Sequence, residues 1–382
     1  MISINAKRNK KARPGVALLV VLFVVMAITI LSLGFVSRSD VELACGQNMI
    51  LRTEMDYLAE SGLEHARGLI LNPQDVSSED WTGIHTELQL VEGSSDYYDV
   101  TVNRDANDFC NYIIDCDSYR LQGADTIGRS SIRATLRIDP CIAYWVGSDT
   151  IVGDQITING DVYCDGDLIN NSVIGIGGDV FATGEITGTN ITGQKNEYAT
   201  APVAEPNLAI ATTYYIGSTS YSAQQIVDPN IQTTSFEPNE ANPAGILYCA
   251  DDVNMPGDVT IIGALFVDGD LTVSGENSIT AVKNFPALVV TGEVIMEDGG
   301  SLTIQGLAQI GGPITDDPST TSANISVIGG LFIANGGVTS DKVIVNITAA
   351  PAIAAIETWP DAGIPSRWRP AAGAFYRSIE RK

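Results

Sequence analysis

Ile158-Asn159-Gly160-Asp161-Val162-Tyr163-Cys164-Asp165-Gly166-Asp167-Leu168 returns later in the chain as Ile261-Ile262-Gly263-Ala264-Leu265-Phe266-Val267-Asp268-Gly269-Asp270-Leu271. Related copies centre on Gly178, Gly245, Pro286, Gly306 and Gly329. Successive copies lie 18, 67, 18, 23, 20 and 23 residues apart, and five of these six intervals suit one coil of a parallel β-helix. Two residues after each leading Gly or Pro stand Val162, Val180, Leu247, Leu265, Leu288, Ala308 and Leu331. Two further on stand Cys164, Ala182, Cys249, Val267, Val290, Ile310 and Ile333. Strand alternation puts both columns on one face, the interior. A third column, Gly166, Gly184, Asp251, Gly269, Gly292, Gly312 and Asn335, reads as a turn built from residues that tolerate positive φ. The expected solenoid spans 150–345. The long interval leaves a Thr-, Ser-, Asn- and Pro-rich excursion at about 189–244.

Between the two inward columns stand Tyr163, Phe181, Tyr248, Phe266, Val289, Gln309 and Phe332, facing outward by the same alternation. Five aromatics in seven positions make a ladder. The preferred expectation is that the excursion or the N-terminal region covers it. The alternative is an open face that binds polysaccharide or a partner surface.

Upstream, the five cations Lys7, Arg8, Lys10, Lys11 and Arg13 precede Pro14-Gly15, and Val16 to Val36 then runs 21 residues without a charge. That length crosses a bilayer as a helix, and the cations before it place the N-terminus in the cytoplasm. The apolar run is too long, and Ser37-Arg38-Ser39-Asp40 too unlike A-x-A, for an ordinary secretory signal. The helix continues. Leu51, Met55, Leu58, Gly62, Ala66 and Leu69 form one helical stripe up to a stop at Asn72-Pro73. Val16 to Leu71 is thus expected to be one helix about 84 Å long. Tyr97–Val102, Asn111–Asp115, Tyr119–Leu121 and Ile132–Ile138 read as short strands of a small sheet on its distal half. Cys110 and Cys116 flank one of these strands and are candidates to clip a hairpin in an oxidising compartment. The expected divisions are 1–15 basic leader, 16–36 span, 37–71 distal helix, 72–140 strand region, then solenoid, then a Pro/Trp-rich basic tail at 346–382.

Arg13-Pro14-Gly15-Val16-Ala17-Leu18-Leu19-Val20, the apolar run and Ala59-Glu60-Ser61-Gly62-Leu63-Glu64-His65-Ala66 resemble the N-terminal domain of PilX-type minor pilins. The leader is also similar to that of the K-type minor pseudopilin of type II secretion. The resemblance implies an α+β pilin-like region, prepilin peptidase cleavage between Gly15 and Val16, N-methylation of Val16 and other pilin-like subunits as partners. Major pilins carry glutamate at the fifth mature residue; Val20 stands here, which fits a minor, tip-associated or priming subunit.

The charge pattern excludes several classes. Lys+Arg 21 against Asp+Glu 46 gives a formal net charge of -25, the wrong sign for nucleic acid. Between Ile138 and Ser366 stand 27 acidic residues and three cations, Lys195, Lys283 and Lys342. The tail, with Arg367, Arg369, Arg377, Arg381 and Lys382, is expected to fold back as a cap on this acidic region, with a partner-binding tail as the alternative. Asp165/Asp167 and Asp268/Asp270 invite comparison with paired glycosidase carboxylates. Sister coils replace them with Thr183/Glu185, Thr291/Glu293 and Gly311/Pro313, so they read as turn residues. His65 on the helix and His85 in a loop are the only histidines, and no G-x-S-x-G, H-E-x-x-H, P-loop or C-x-x-C motif occurs. No catalytic residue, cofactor or metal site is expected. Cys164 and Cys249 share an inward column. If the coil of Gly245 stacks on that of Gly178, they stand two strand spacings apart, about 9.6 Å, too far to bond.

The expectation is therefore a minor pilin-like subunit in the inner membrane with a periplasmic or extracellular β-solenoid, serving type IV pilus or type II secretion-like assembly or surface contact. The alternatives are a permanently anchored single-pass protein whose β-helix binds polysaccharide and, more remotely, a β-helical carbohydrate-active enzyme.

Overall fold

The computed structural model describes residues 14–71, 83–105, 110–139, 141–202, 210, 212–216, 219–231, 234–282, 285–349 and 374–381. The basic leader, the Asn72-Pro73 stop and the Pro/Trp-rich stretch 350–373 lie outside them. A single helix α1 (Pro14–Leu71) of 58 residues forms the N-terminal part, about 87 Å at 1.5 Å per residue. Every residue from Leu18 to Ile50 is exposed, whereas Met55, Leu58, Ala59, Gly62, Leu63, Ala66 and Ile70 are buried on one side of the distal half.

That side packs on a small antiparallel sheet of β1 (Gly83–Leu88), β2 (Asp96–Arg104), β3 (Asn111–Gln122) and β4 (Asp125–Ile138). Tyr98, Val100, Val102, Tyr112, Ile114, Cys116, Ile132, Ala134, Leu136 and Ile138 supply its buried face. Close approach needs Gly62: a Cβ there would stand 2.5 Å from the Cys116 sulfur and 2.8 Å from the Tyr98 ring. The Ser118 hydroxyl donates to the Met55 carbonyl at 2.7 Å and ties sheet to helix. Two expected strands, Asn111–Asp115 and Tyr119–Leu121, prove to be one, and His85 lies in β1 rather than a loop.

The described end of the basic tail joins the head rather than capping the solenoid, and Arg367 and Arg369 of the expected cap lie outside the described residues. That end, the C-terminal strand Ala374–Arg381, pairs antiparallel with β4 as the fifth strand of the head sheet. Arg381 reaches Asp56 and Glu60 on α1, and Arg377 reaches Asp139. The solenoid is thus inserted between two neighbouring strands of the head.

The solenoid begins at Ile142 and its last strand ends at Ala349, somewhat wider than 150–345. Ten strands form its principal wall, and their spatial order is not their chain order. From one end it runs Lys195–Asn196, Val180–Ala182, Asp161–Cys164, Ile142–Val146, Ala323–Ile333, Ser301–Ile310, Leu288–Val290, Ala264–Val267, Ile246–Cys249 and Gln224–Gln225. The chain enters mid-stack, builds four rungs outward, crosses to the far end and builds six rungs back. The last of these docks in parallel on the first, through Leu331↔Tyr144, Phe332↔Trp145 and Ile333↔Val146. Two arms therefore meet at a seam that no consecutive chain crosses.

This order corrects three expectations. The coil of Gly245 does not stack on that of Gly178. Cys164 and Cys249 are separated through Val146, Ile333, Ile310, Val290 and Val267, six strand spacings or about 29 Å. The excursion is shorter than 189–244, because Lys195–Asn196, Gln224–Gln225 and Ser235–Phe236 are already rungs in register.

Both inward columns are buried as expected and join the helix and head residues in one contiguous core. The glycine columns work differently from the expectation. Positive φ falls mainly in the leading column, for example Gly263 at 142° and Gly329 at 146°, where the strand turns a corner, and in the expected turn column only Gly166 has it, at 154°. In the other column Gly184, Gly269 and Gly292 leave room: a Cβ would meet the carboxylates of Asp167, Asp252 and Asp270 on the preceding rung.

Candidate functional site

Those carboxylates tie successive coils together. Asp149 accepts the Asp167 N–H at 2.8 Å, and Asp167 accepts the Glu185 N–H at 2.8 Å. In the other arm Asp252 accepts from Asp270 N–H and Asp270 from Glu293 N–H, both at 2.8 Å. The hydroxyls of Thr183 and Thr291 donate to Asp165 and Asp268 at 3.0 and 3.1 Å. Each of the four acids in the two candidate pairs thus holds the next coil, in a charge-assisted bond stronger than a neutral one. No group of three or more His, Cys, Asp or Glu side chains suited to a metal occurs among the described residues.

Asp161 does the same work at the junction with the head. Its carboxylate accepts the N–H groups of Cys141 and Asp179 at 2.8 and 2.9 Å and faces Arg137 of β4 at 3.3 Å. The side chain is wholly buried, and that burial raises its pKa to about 6 despite the two amides and the guanidinium. His65 Nδ1 lies 2.7 Å from the Tyr98 hydroxyl, a contact between helix and sheet.

The aromatic ladder is not an open face. Tyr163, Phe266 and Phe332 are buried, and Phe181 and Tyr248 half-buried. It is also two clusters rather than one. Tyr163 and Phe332 flank Trp145, at ring-centroid distances of 5.1 and 4.5 Å, with Ile142 and Leu307 and with Phe181 packed alongside. Phe266 packs with Val289, Phe285 and Tyr214, and Tyr248 lies against them. Tyr214 comes from the excursion, whose hairpin Thr213–Ile216/Thr219–Ser222 lies on the wall. The Tyr214 hydroxyl donates to Asn242 Oδ1 at 2.7 Å, which locks the hairpin down. Trp145 escapes the sequence pattern because its rung lacks the leading glycine; the alternation of Tyr144, Trp145 and Val146 was the available signal. Phe266→Ala is expected to lower the unfolding free energy by about 3–5 kcal/mol, as in other buried Phe truncations. A denaturant titration checks this, and a loss below about 1 kcal/mol would mean an exposed ring.

Cys110 and Cys116 do not clip a hairpin. They lie on one extended run, Cys110 immediately before β3 and Cys116 within it, about 20 Å apart by strand rise and far beyond disulfide reach.

Gly15 and Val16 lie in the first turn of α1. Leu18–Ile70 has a mean hydropathy of 2.9 in its most apolar window, none of it buried, which makes α1 long and apolar enough to cross a membrane. Beyond Val36 the stem still exposes Val41, Leu43, Met49 and Ile50.

No family model and no curated protein sequence matches the chain. Among solved structures, the competence-associated pilin ComZ from Thermus thermophilus aligns with 87% of this chain and 97% of its own at 12% identity. The TM-score is 0.24, a value at which a shared fold is not shown.

Proposed function

We propose that this chain is a minor, PilX-type pilin-like subunit, held in the inner membrane by α1, with its solenoid on the extracytoplasmic side. In this reading prepilin peptidase cuts between Gly15 and Val16, and the released stem packs among other pilin-like stems in a type IV pilus or type II secretion-like assembly. The supporting observation is the bare stem. A bilayer core needs about 20 residues of helix, yet 33 consecutive residues, Leu18 to Ile50, are exposed, and four large apolar side chains lie beyond the span. Neighbouring stems would cover them. The burial of Tyr163, Phe266 and Phe332 favours this reading over the polysaccharide-binding alternative. We assign the chain no enzymatic activity, since each carboxylate of the candidate pairs is engaged in coil stacking. Shearing cells that have an active prepilin peptidase should release the wild-type chain with surface filaments, whereas Gly15→Ala should stay with the membrane. Equal retention of both would overturn the reading.

A further inference from the structure

The first rung of the solenoid joins the head where β4 ends. β3 and β4 stay paired up to that point, with the Ile138 N–H donating to the Cys110 carbonyl at 2.9 Å. Three residues on, Cys141 opens the solenoid. Its N–H goes to Asp161 and its carbonyl accepts the Asp161 N–H at 3.0 Å. The Cys110 thiol points at the same carbonyl, with its sulfur 4.0 Å from the oxygen. Both cysteines are buried.

We propose that Cys110 and Cys141 form a disulfide that staples the first rung of the solenoid to the head. The sulfur of Cys110 lies within about 6.4 Å of the Cys141 Cα, given standard backbone dimensions. The pairing requires both side chains to rotate until the sulfurs meet at disulfide geometry. An independent sign of their convergence is Tyr112: burial raises its pKa most, and the nearby thiols of Cys141 and Cys110 each push it further up. The other four cysteines have no comparable partner. Cys45 is exposed on the stem, Cys116 sits under Gly62, and Cys164 and Cys249 are six rungs apart.

The chemistry removes two protons and two electrons. One thiolate attacks a donor disulfide, either that of an extracytoplasmic thiol oxidase or oxidised glutathione, and a donor thiolate leaves. The second cysteine then attacks the mixed disulfide, and the donor departs reduced. Because both sulfurs end up buried, exchange precedes docking of the first rung. In cells this rests on the extracytoplasmic placement proposed above, so the test has two arms.

In the first arm, full-length chain extracted from membranes is alkylated under denaturing conditions and mapped without reduction. The expected result is a Cys110–Cys141 crosslinked peptide, with Cys45, Cys116, Cys164 and Cys249 alkylated. In the second arm the full chain is refolded in detergent with reduced and oxidised glutathione, beside Cys141→Ser. The wild type should form the same crosslink, and in the variant Cys110 should become alkylated. A crosslink in the second arm alone supports the pairing and removes the extracytoplasmic placement. Alkylation of both cysteines in both arms, or any other pairing of Cys110, overturns the proposal.

Discussion

Ile333→Asp is expected to separate the unfolding of the two arms of the solenoid. Ile333 is fully buried, with Ile310 of its own arm on one side and Val146 of the other arm on the other. Everywhere else successive rungs are also joined by chain, so their contacts close short loops. At the seam they are held only by side chains and ladder hydrogen bonds: Tyr144, Trp145 and Val146 against Leu331, Phe332 and Ile333, with Ile156 and Ile158 against Val345 and Ile347 along the second wall. A carboxylate there has no cationic partner in the described core and costs several kcal/mol whether it ionises or takes up a proton. Calorimetry should resolve two transitions where the wild type shows one, the earlier belonging to the seam and the shorter arm. The same change at Val290, inside the longer arm, should destabilise that arm without creating a separable step. A single unshifted transition for Ile333→Asp would contradict the rung order.

Deleting residues 374–382 is expected to unravel the head while leaving the solenoid folded. The C-terminal strand pairs with β4 from Ile138 to Ile132, carries Tyr376 into the core next to Arg67, and places Arg381 against Asp56 and Glu60. Its loss exposes the backbone edge of β4. Several ladder hydrogen bonds at about 1 kcal/mol each, with the area buried by Tyr376, put the loss on the order of 5 kcal/mol. The exposed ion pairs of Arg381 add little. Hydrogen exchange should show lost protection in β4 and retained protection in Ala264–Val267. Unchanged protection in β4 would mean that the tail does not complete the head sheet.

The inward columns and the long helix were legible because each obeys a period: two for the strands, and three to four for the helix. Rung order was not legible for a related reason. Val162, Leu265 and Leu331 occupy equivalent slots, so likeness between rungs does not say which stacks on which. The first and far-end rungs were missed because they lack the leading glycine, and Gln224–Gln225 replaces the usual apolar pair. In the expected turn column positive φ holds at Gly166 and not at Gly184, Gly269 or Gly292, since sequence cannot separate a glycine needed for φ from one needed for space. Cys110, Tyr112, Ile114 and Cys116 alternate at period two, a sign of one strand that the polar Asp117-Ser118 obscured. The aromatic ladder was correctly placed on the outer side of the wall. The Phe266 cluster is covered by a hairpin whose Thr/Ser/Tyr composition carries no period.

One peptide bond, Gly15–Val16, decides between a filament stem and a permanent anchor. An uncleaved stem keeps five cations that resist entry into hydrocarbon, whereas a stem beginning at Val16 has no charge before Arg38 except its own terminus. Mass spectrometry of the N-terminal peptide, from chain extracted out of cells with an active prepilin peptidase, measures this directly. The prediction is a mature protein that begins at N-methylated Val16. An intact Met1–Arg13 segment on the mature form would contradict the pilin-like reading and leave a permanently anchored surface protein in its place.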